Sequence, residues 1–223
     1  MSVIYIKPYK HTPVIINDPH WSDVKLLIRG NTDISDETGK TVTVIGNAYS
    51  TPTEFKYGGG SVFIDGMTPN SGLSVPNSSD WSIGSGNVTV EWWVNILGLP
   101  GPGTNAYFFN SSGINAYYNP NTNTLRSTIP SIGDFAGGNG VVFNQWRHMA
   151  VVKNGNNITF YNHGSGLLLT SSATPLAPST QPFYVGTYNG NYGPTAYFDD
   201  FEFTRFAKYT GNFTPPEFEA PNF

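Results

Sequence analysis

The stretch Asn87–Ile96 (NVTVEWWVNI) limits the fold of this chain more than any other, because its apolar residues recur at every second position. Successive side chains of a β-strand point to opposite faces, so this spacing predicts a strand with one wholly apolar face. That face carries Val88, Val90, Trp92, Val94 and Ile96. The opposite face holds Glu91 beside Trp93, which is not the composition of a face open to water. The stretch therefore predicts a central strand that is covered on both sides.

A second strong strand is predicted over Gln145–Lys153 (QWRHMAVVK), before an Asn-Gly turn of the kind that closes β-hairpins. The other strand-like segments are short and separated by turns, in keeping with 25 glycines, 17 prolines and only 12% charged residues. Helices would need more Ala, Leu, Glu and Lys on their outer faces. The predicted fold class is all-β, a sandwich or barrel, with a glycine-rich loop over Pro130–Gly140.

We expect one main domain, because all-β sandwiches of roughly 200 to 250 residues are common and the chain has 223 residues. Residues 1–22, interrupted by three prolines, are predicted to form an extended N-terminal arm. This arm is either a strand that pads the sandwich or a segment that pairs with the edge of a neighbouring subunit. Residues 207–223 are predicted to form an extended C-terminal tail, rich in aromatic residues and proline.

Charge and cysteine content argue against several classes of function. A net charge of −4 with 11 scattered basic residues argues against a nucleic-acid partner, because phosphate binding needs clustered Lys and Arg. No apolar run is long enough to span a membrane, and the N-terminus is a poor match to an export signal. Without cysteine there is no disulfide, thiolate metal site or Cys nucleophile. We therefore expect folding in a cytoplasm.

Several segments occur in an order that resembles a known family. They are LLIRGN, SVFIDG, NVTVEWWV, NQWRHMAVVKNGNNITFYNHG and AYFDDFEFTRFAKYTGNFTPP. This order is similar to that of laminin G-like members of the concanavalin A-like lectin/glucanase superfamily, and in particular to the bacteriophage versions. The resemblance covers about residues 23–216. It implies a two-sheet antiparallel jelly-roll sandwich, which we expect over residues 23–206.

The resemblance to phage members implies a non-enzymatic structural protein of a virion, assembled in the host cytoplasm. Such a protein would decorate or cement the capsid, or form part of the tail of the particle. Its expected partners are other virion proteins and further copies of itself, a trimer being the expected oligomer. The alternative is a carbohydrate-binding, lectin-like adhesion module that recognises a host-surface glycan.

Carbohydrate binding would use aromatic rings flanked by amide side chains. The segment Thr187–Thr195 (TYNGNYGPT) offers such a set, and an earlier loop adds an indole. The candidate glycan-binding residues are Trp81, Tyr188, Asn189, Asn191 and Tyr192. The same residue types are common in ordinary loops, and Tyr is enriched in protein interfaces, so a structural role stays open.

No catalytic residue is predicted. A retaining glycosidase of this superfamily needs two carboxylates about 5 to 5.5 Å apart, but Glu91 has no second acid on its strand. Asp199 and Asp200 are adjacent, and strict alternation would place them on opposite faces. Glu91 could act as a general acid or a ligand contact. We favour a buried carboxylate that is satisfied by Arg147 or His148 on a neighbouring strand.

No cofactor is predicted, although a structural calcium ion stays open. Calcium takes carboxylate and carbonyl oxygens, and four acids could meet at one edge of the sandwich. They are Asp33, Asp36, Asp199 and Asp200. The sequence around Asp33 lacks the Gly and the terminal Glu of an EF-hand loop, so no local ligand set is predicted. The alternative is that Asp33 and Asp36 form turns, and that Asp199 or Asp200 ends a strand.

Overall fold

The chain folds into a sandwich of two antiparallel β-sheets, described by a computed structural model for residues 19–67 and 71–220. Two short 3₁₀ turns, Trp21–Asp23 and Ser79–Trp81, accompany the strands. The strands are β1 (Val24–Ile28), β2 (Thr43–Ile45), β3 (Ala48–Thr51), β4 (Ser61–Ile64), β5 (Gly72–Val75), β6 (Val88–Gly98), β7 (Ala106–Asn110), β8 (Asn115–Asn119), β9 (Thr124–Ile129), β10 (Gly133–Asn139), β11 (Trp146–Asn154), β12 (Asn157–Asn162), β13 (Ser165–Ser171), β14 (Phe183–Val185) and β15 (Thr195–Thr204).

Each sheet is assembled from strands that are distant in the sequence. The eight-stranded sheet runs β13-β12-β11-β6-β15-β4-β3, and β1 pairs with the C-terminal half of β15. The seven-stranded sheet runs β10-β9-β8-β7-β14-β5-β2. The chain crosses repeatedly from one sheet to the other. This arrangement confirms the predicted fold class, an all-β two-sheet antiparallel jelly-roll sandwich.

The apolar face of β6 lies at the centre of the core, between the two sheets. Trp92 is fully buried, and its ring centroid lies 5.6 Å from that of Phe108 and 5.5 Å from that of Phe109, both on β7. Phe201 of β15 stacks against the same indole at 6.0 Å. The five residues predicted to share this face all belong to the core. Burying an aromatic side chain of this size stabilises the fold by about 2–3 kcal/mol or more.

The second face of β6 is covered by the C-terminal segment, residues 207–220. Phe213 stacks on Tyr209 at a ring-centroid distance of 3.6 Å, and its backbone N–H donates to the carbonyl of Gly164. Near the end of the segment, the N–H of Ala220 donates to the Asp200 carboxylate. The segment contains neither helix nor strand, and it lies against the outer face of the eight-stranded sheet. Both faces of the central strand are therefore buried, as its sequence predicts.

Two strands differ from the sequence-based expectation. The glycine-rich stretch Pro130–Gly140, predicted as a loop, contains β10. A Cβ atom at Gly137 would lie 2.6 Å from the side chain of Phe160, so glycine permits β10 to approach the core edge closely. The short strand β3 was not predicted, because its sequence AYST carries no alternating apolar pattern. Its position comes from pairing with β4.

Most of the predicted N-terminal arm, residues 1–22, lies outside the described residues, so its pairing stays a prediction. Its last residues are described: the imidazole of His20 stacks on Phe206 at 3.9 Å, and the Trp21–Asp23 turn leads into β1. In the part of the chain that the structure describes, no helix is long and apolar enough to cross a membrane.

Substitution of Trp92 tests the central packing. Trp92→Ala is expected to lower the free energy of unfolding by about 3–5 kcal/mol, because it opens a cavity lined by four phenylalanines. Trp92→Phe should cost clearly less, since the indole N–H is buried and finds no hydrogen-bond partner among the described residues. Urea denaturation measures both changes. Equal losses in the two variants would contradict this account.

Candidate functional site

The predicted Tyr-Asn segment forms a tight turn after β14. Asn189 and Gly190 both have positive φ, 51° and 88°, which is the backbone geometry of a two-residue hairpin turn. The flanking residues Tyr188 and Asn191 exchange two backbone hydrogen bonds, of 2.6 and 2.9 Å. The turn holds its tyrosines outward: Tyr188 is 38% exposed and Tyr192 is 54% exposed. Four of the five predicted glycan-binding residues are thus brought together.

Tyr188 begins a row of three aromatic rings across the outer face of the seven-stranded sheet. Its ring centroid lies 4.8 Å from that of Tyr107 on β7, and Tyr107 lies 4.9 Å from Tyr117 on β8. The backbone N–H of Tyr107 donates to the carbonyl of Tyr192, which fixes the turn against the sheet. We call Tyr188, Tyr107 and Tyr117 the tyrosine row. Sequence patterning places Tyr107 and Tyr117 on strands, but not beside the turn.

Polar side chains border the tyrosine row. The carboxylate of Asp134 on β10 accepts hydrogen bonds from the Tyr117 hydroxyl, at 2.8 Å, and from the Arg126 guanidinium, at 2.9 Å. Partial burial alone would raise the pKa of Asp134, but the bonds from Arg126 and Tyr117 hold it below its ordinary value. At the other end, the amide of Asn110 donates to the side-chain oxygen of Asn189. The row is therefore a fixed aromatic surface between hydrogen-bonding groups.

Trp81, the fifth predicted glycan-binding residue, is a core residue. It has no exposed surface, and its ring centroid lies 5.0 Å from that of Phe183 and 5.1 Å from that of Phe203. Its indole N–H donates to the carbonyl of Pro76. The predicted role of Trp81 is corrected accordingly, because no face of the indole is open to a ligand.

Glu91 sits in a buried network on the outer face of the eight-stranded sheet. Its carboxylate lies 3.2 Å from His148 Nε2, 2.5 Å from Lys208 Nζ and 2.5 Å from the hydroxyl of Tyr209. Burial alone would raise the pKa of Glu91, but Lys208 and His148 outweigh burial and hold it well below its ordinary value. The predicted satisfaction by His148 is confirmed. Arg147 is not the partner, since it lies opposite Val94, a core residue.

A second carboxylate lies beside Glu91, on the neighbouring strand β15 and not on its own strand. Glu202 of β15 is directly opposite Glu91 in the ladder, and Lys208 Nζ lies 2.7 Å from the nearer Glu202 oxygen. One ammonium group therefore bridges two buried acids. Sequence reasoning missed both Glu202 and Lys208, because the pairing of β6 with β15 and the path of the C-terminal segment are set by tertiary structure.

Asp199 and Asp200 lie on the same face, which corrects the expectation from strict alternation. The pairing of β15 with β6 shifts register between Asp199 and Glu202, and Asp200 has a φ of 45°. This bulge turns both side chains outward. Asp199 accepts the backbone N–H groups of Lys56 and Tyr57, at 2.8 and 3.0 Å. Asp200 lies 3.3 Å from the guanidinium of the buried Arg29, and it also accepts the N–H of Ala220.

The two aspartates are hard to ionise in the folded chain. Burial raises the pKa of Asp199 to about 7, although the two N–H groups that it accepts act against the rise. Burial and the adjacent Asp199 raise the pKa of Asp200 to about 7, against the charge of Arg29. Both carboxyls therefore have a pKa well above that of an ordinary aspartate.

The four acids considered for calcium do not converge. The Asp36 carboxylate accepts the N–H groups of Thr38 and Lys40 in its own loop and that of Leu27 on β1. Asp33 accepts the hydroxyl of Ser35. These contacts agree with the turn-forming alternative. Among residues 19–67 and 71–220, no three His, Asp or Glu side chains are grouped so that they could hold a metal ion.

A cleft of about 370 Å³ lies between the C-terminal segment and the eight-stranded sheet. The ammonium of Lys56 sits 4.4 Å above the ring of Trp93, at the base of the cleft, and Trp93 is only 4% exposed. The lysine therefore occupies the aromatic face that a sugar would need for stacking. On the other sheet, Tyr188 and Tyr192 are the more exposed aromatic rings.

Asp199→Asn tests the cost of the buried aspartates. A carboxyl with a raised folded pKa stabilises the fold most at low pH, and that contribution is lost as the pH rises from about 4 towards 7. An Asn side chain can still accept the N–H groups of Lys56 and Tyr57. Compared with the wild type at the same pH, the variant should therefore be more stable at pH 8 than it is at pH 5. We expect the difference in unfolding free energy between variant and wild type to change by roughly 1–3 kcal/mol between these pH values.

Urea denaturation at both pH values measures this change. Asp33→Asn is the matched control, because Asp33 is exposed on a loop, and it should follow the wild type at each pH. If the difference in unfolding free energy between Asp199→Asn and the wild type were the same at pH 5 and at pH 8, burial would not raise the pKa of Asp199 as described.

Comparison with known proteins is consistent with this fold. The Laminin_G_3 family, described as concanavalin A-like lectin/glucanases superfamily, matches residues 65–208. No curated protein matches the chain in sequence. Domain 4 of AbnA, an extracellular arabinanase from Geobacillus stearothermophilus solved in complex with arabinotriose, superposes with a TM-score of 0.62 at 18% identity. That match covers 87% of this chain and 96% of the domain.

Two further solved structures share the fold at lower identity. The binding domain of Paraclostridial Mosquitocidal Protein 1 gives a TM-score of 0.63 at 14% identity, over 84% of this chain and 50% of that chain. Trypanosoma rangeli sialidase gives 0.61 at 12% identity, over 84% and 32%. This chain thus spans half or less of these two neighbours. Since the family match covers most of the chain, the protein belongs to the concanavalin A-like lectin/glucanases superfamily.

Proposed function

We propose that this protein is a non-enzymatic carbohydrate-binding module that holds a glycan on the tyrosine row. The observation that carries the proposal is the row itself: three tyrosine rings spaced by 4.8 and 4.9 Å, of which Tyr188 is exposed, Tyr107 is half-buried and Tyr117 is buried. Tyr192, 54% exposed, extends the aromatic surface at the turn. Tyrosine combines an apolar ring with a hydroxyl, and this suits a sugar, whose ring has apolar C–H faces and polar edges.

The border of the row supplies the groups that a sugar's hydroxyls need. Amide side chains both donate and accept hydrogen bonds, and Asn189 and Asn191 stand on the turn itself. Arg126 and Asp134 border the opposite end and are paired with each other. Their charges largely cancel, so the surface favours a neutral glycan over a strongly charged one. The arabinotriose complex of the AbnA domain, which has the same fold, supports a sugar ligand.

The buried acids support a binding role over a catalytic one. Glu91 and Glu202 share the ammonium of Lys208, and the hydroxyl of Tyr209 also donates to Glu91. The C-terminal segment covers this cluster. A carboxylate held as a paired anion and shielded from substrate is poorly suited to general acid catalysis. We therefore propose no hydrolytic activity and no cofactor.

A glycan array that includes arabino-oligosaccharides tests the proposal. The wild type should bind at least one glycan, and the double variant Tyr188→Ala, Tyr192→Ala should bind it about tenfold or more weakly, which corresponds to about 1.4 kcal/mol. Tyr49→Ala is the matched control, because Tyr49 is 48% exposed on the other sheet, and it should bind like the wild type. No bound glycan, or an equal loss in Tyr49→Ala, would overturn the proposal.

A second candidate function is a structural role in a bacteriophage particle, on the capsid or the tail. The supporting observation is the ordered set of sequence segments that resembles phage laminin G-like proteins. The two functions are compatible, since an adhesion module can be carried on a virion.

Deletion of residues 1–20 tests the structural candidate. If the N-terminal segment attaches the domain to a particle or to further copies, the truncated protein should fold normally but fail to join assembled particles. Sedimentation of particles with bound protein measures this. Unchanged assembly and unchanged oligomeric state in the truncated protein would rule out an attaching role for the arm.

A further inference from the structure

Three rings surround the ammonium group of Lys56 in the cleft beside the C-terminal segment. The Lys56 Nζ lies 4.4 Å from the ring centre of Trp93 and 5.1 Å from that of Tyr57. The Tyr57 ring stands at 88° to the indole of Trp93, with 5.8 Å between centroids. The imidazole of His163 stands at 78° to the same indole, at 6.0 Å. All three rings line the cleft, and we call them the aromatic box.

The Lys56 ammonium differs from the other buried lysines in what it contacts. Lys208 lies between two carboxylates, and the Lys153 ammonium donates to three backbone carbonyls. In the part of the chain that the structure describes, the Lys56 ammonium has no hydrogen-bond acceptor and no ion-pair partner. A primary ammonium carries three N–H donors and is strongly hydrated. The aromatic box therefore holds a cation whose donors no protein group satisfies.

The surroundings of the aromatic box favour a positive charge. Glu217 is exposed at the cleft and forms no ion pair with any residue of 19–67 or 71–220. Burial raises the pKa of the Tyr57 hydroxyl to about 12, and the charges of Asp200 and Glu217 add to the rise. Burial lowers the pKa of His163, so its imidazole is largely uncharged at neutral pH. The box thus presents neutral rings in a field set by carboxylates.

We propose that the aromatic box binds a quaternary ammonium group, such as that of choline, in place of the Lys56 ammonium. A quaternary ammonium has no N–H donor to satisfy, and it is less strongly hydrated than a primary ammonium. Aromatic cages recognise such ligands through the attraction between the cation and the ring faces. The cleft volume of about 370 Å³ lies within the usual range of small-molecule sites. This site lies on the other sheet from the tyrosine row and does not depend on glycan binding.

The exchange needs only the side chain of Lys56 to move. The backbone N–H groups of Lys56 and Tyr57 donate to the Asp199 carboxylate, so the loop stays anchored while the lysine stem turns out. The displaced ammonium regains its hydration in water. An acidic group next to the ligand's nitrogen would approach Glu217 and be repelled. The site therefore favours free choline over phosphocholine, the headgroup of a choline lipid.

Isothermal titration at constant ionic strength gives the first test. The wild type should bind choline with a Kd of about 1 mM or below. The neutral isostere of choline, in which a carbon atom replaces the nitrogen, should bind about tenfold or more weakly, because it carries no charge to attract the rings. Phosphocholine should also bind more weakly than choline. Absent choline binding, equal binding of the isostere, or tighter binding of phosphocholine would overturn the proposal.

Substitution of Lys56 tests the exchange itself. Lys56→Ala removes the competing cation and should bind choline roughly two- to thirtyfold more tightly than the wild type. Lys25→Ala is the matched control, since it removes the same charge from β1, away from the cleft, and should bind choline like the wild type. Unchanged or weaker binding by Lys56→Ala, or an equal gain in Lys25→Ala, would show that Lys56 does not occupy the ligand's position.

Two variants of Tyr57 separate the ring from its hydroxyl. Tyr57→Leu removes one wall of the box and should weaken choline binding about fivefold or more. Tyr57→Phe keeps the ring and loses only the hydrogen bond to the carbonyl of Pro216, so it should bind within about twofold of the wild type. Circular dichroism checks that both variants are folded. Equal affinity in the two folded variants would contradict recognition by the ring faces.

Discussion

The central strand β6 has no face open to water, and this constraint shapes the rest of the structure. Its apolar face supplies Trp92 to the core between the sheets. Its other face carries Glu91, and an unpaired buried carboxylate is strongly unfavourable. The C-terminal segment removes that cost, because Lys208 and Tyr209 bring a charge and a hydroxyl to the carboxylate. The segment is therefore an integral part of the sandwich, and its loss would leave two buried acids without their cation.

The two outer faces of the sandwich consequently differ in character. The eight-stranded sheet has a large part of its outer face occupied by the C-terminal segment and by the ionic network beneath it. The seven-stranded sheet carries the tyrosine row, where Tyr107 and Tyr188 form an aromatic surface with hydrogen-bonding groups on both sides. Binding to an extended surface requires rings that are fixed yet accessible. On the seven-stranded sheet, Tyr188 has both properties, since its ring packs on Tyr107 and is 38% exposed.

The bulge at Asp199 and Asp200 shows how one irregular residue changes the chemistry of a strand. Strict alternation would bury one of these acids in the apolar core, where ionisation would be very costly. The bulge moves both side chains outward. There, backbone N–H groups donate hydrogen bonds to Asp199 and the Arg29 guanidinium lies beside Asp200, which partly offsets the cost of burying the two carboxylates. Their pKa values still rise to about 7, so burial outweighs these contacts. The alternating pattern of the sequence gives no sign of this shift in register.

The sequence by itself determined the all-β class, most strand positions and the two-sided burial of β6, because alternation is a local property that the pleat converts directly into faces. It also grouped Tyr188 and Tyr192 in the single segment Thr187–Thr195 as candidate glycan-binding residues. Tertiary structure alone decided that Trp81 lies in the core and that Tyr107 and Tyr117 extend the tyrosine row. It likewise set Lys208 against Glu91. Contacts between segments far apart in the chain depend on strand order and register, and no local pattern encodes these.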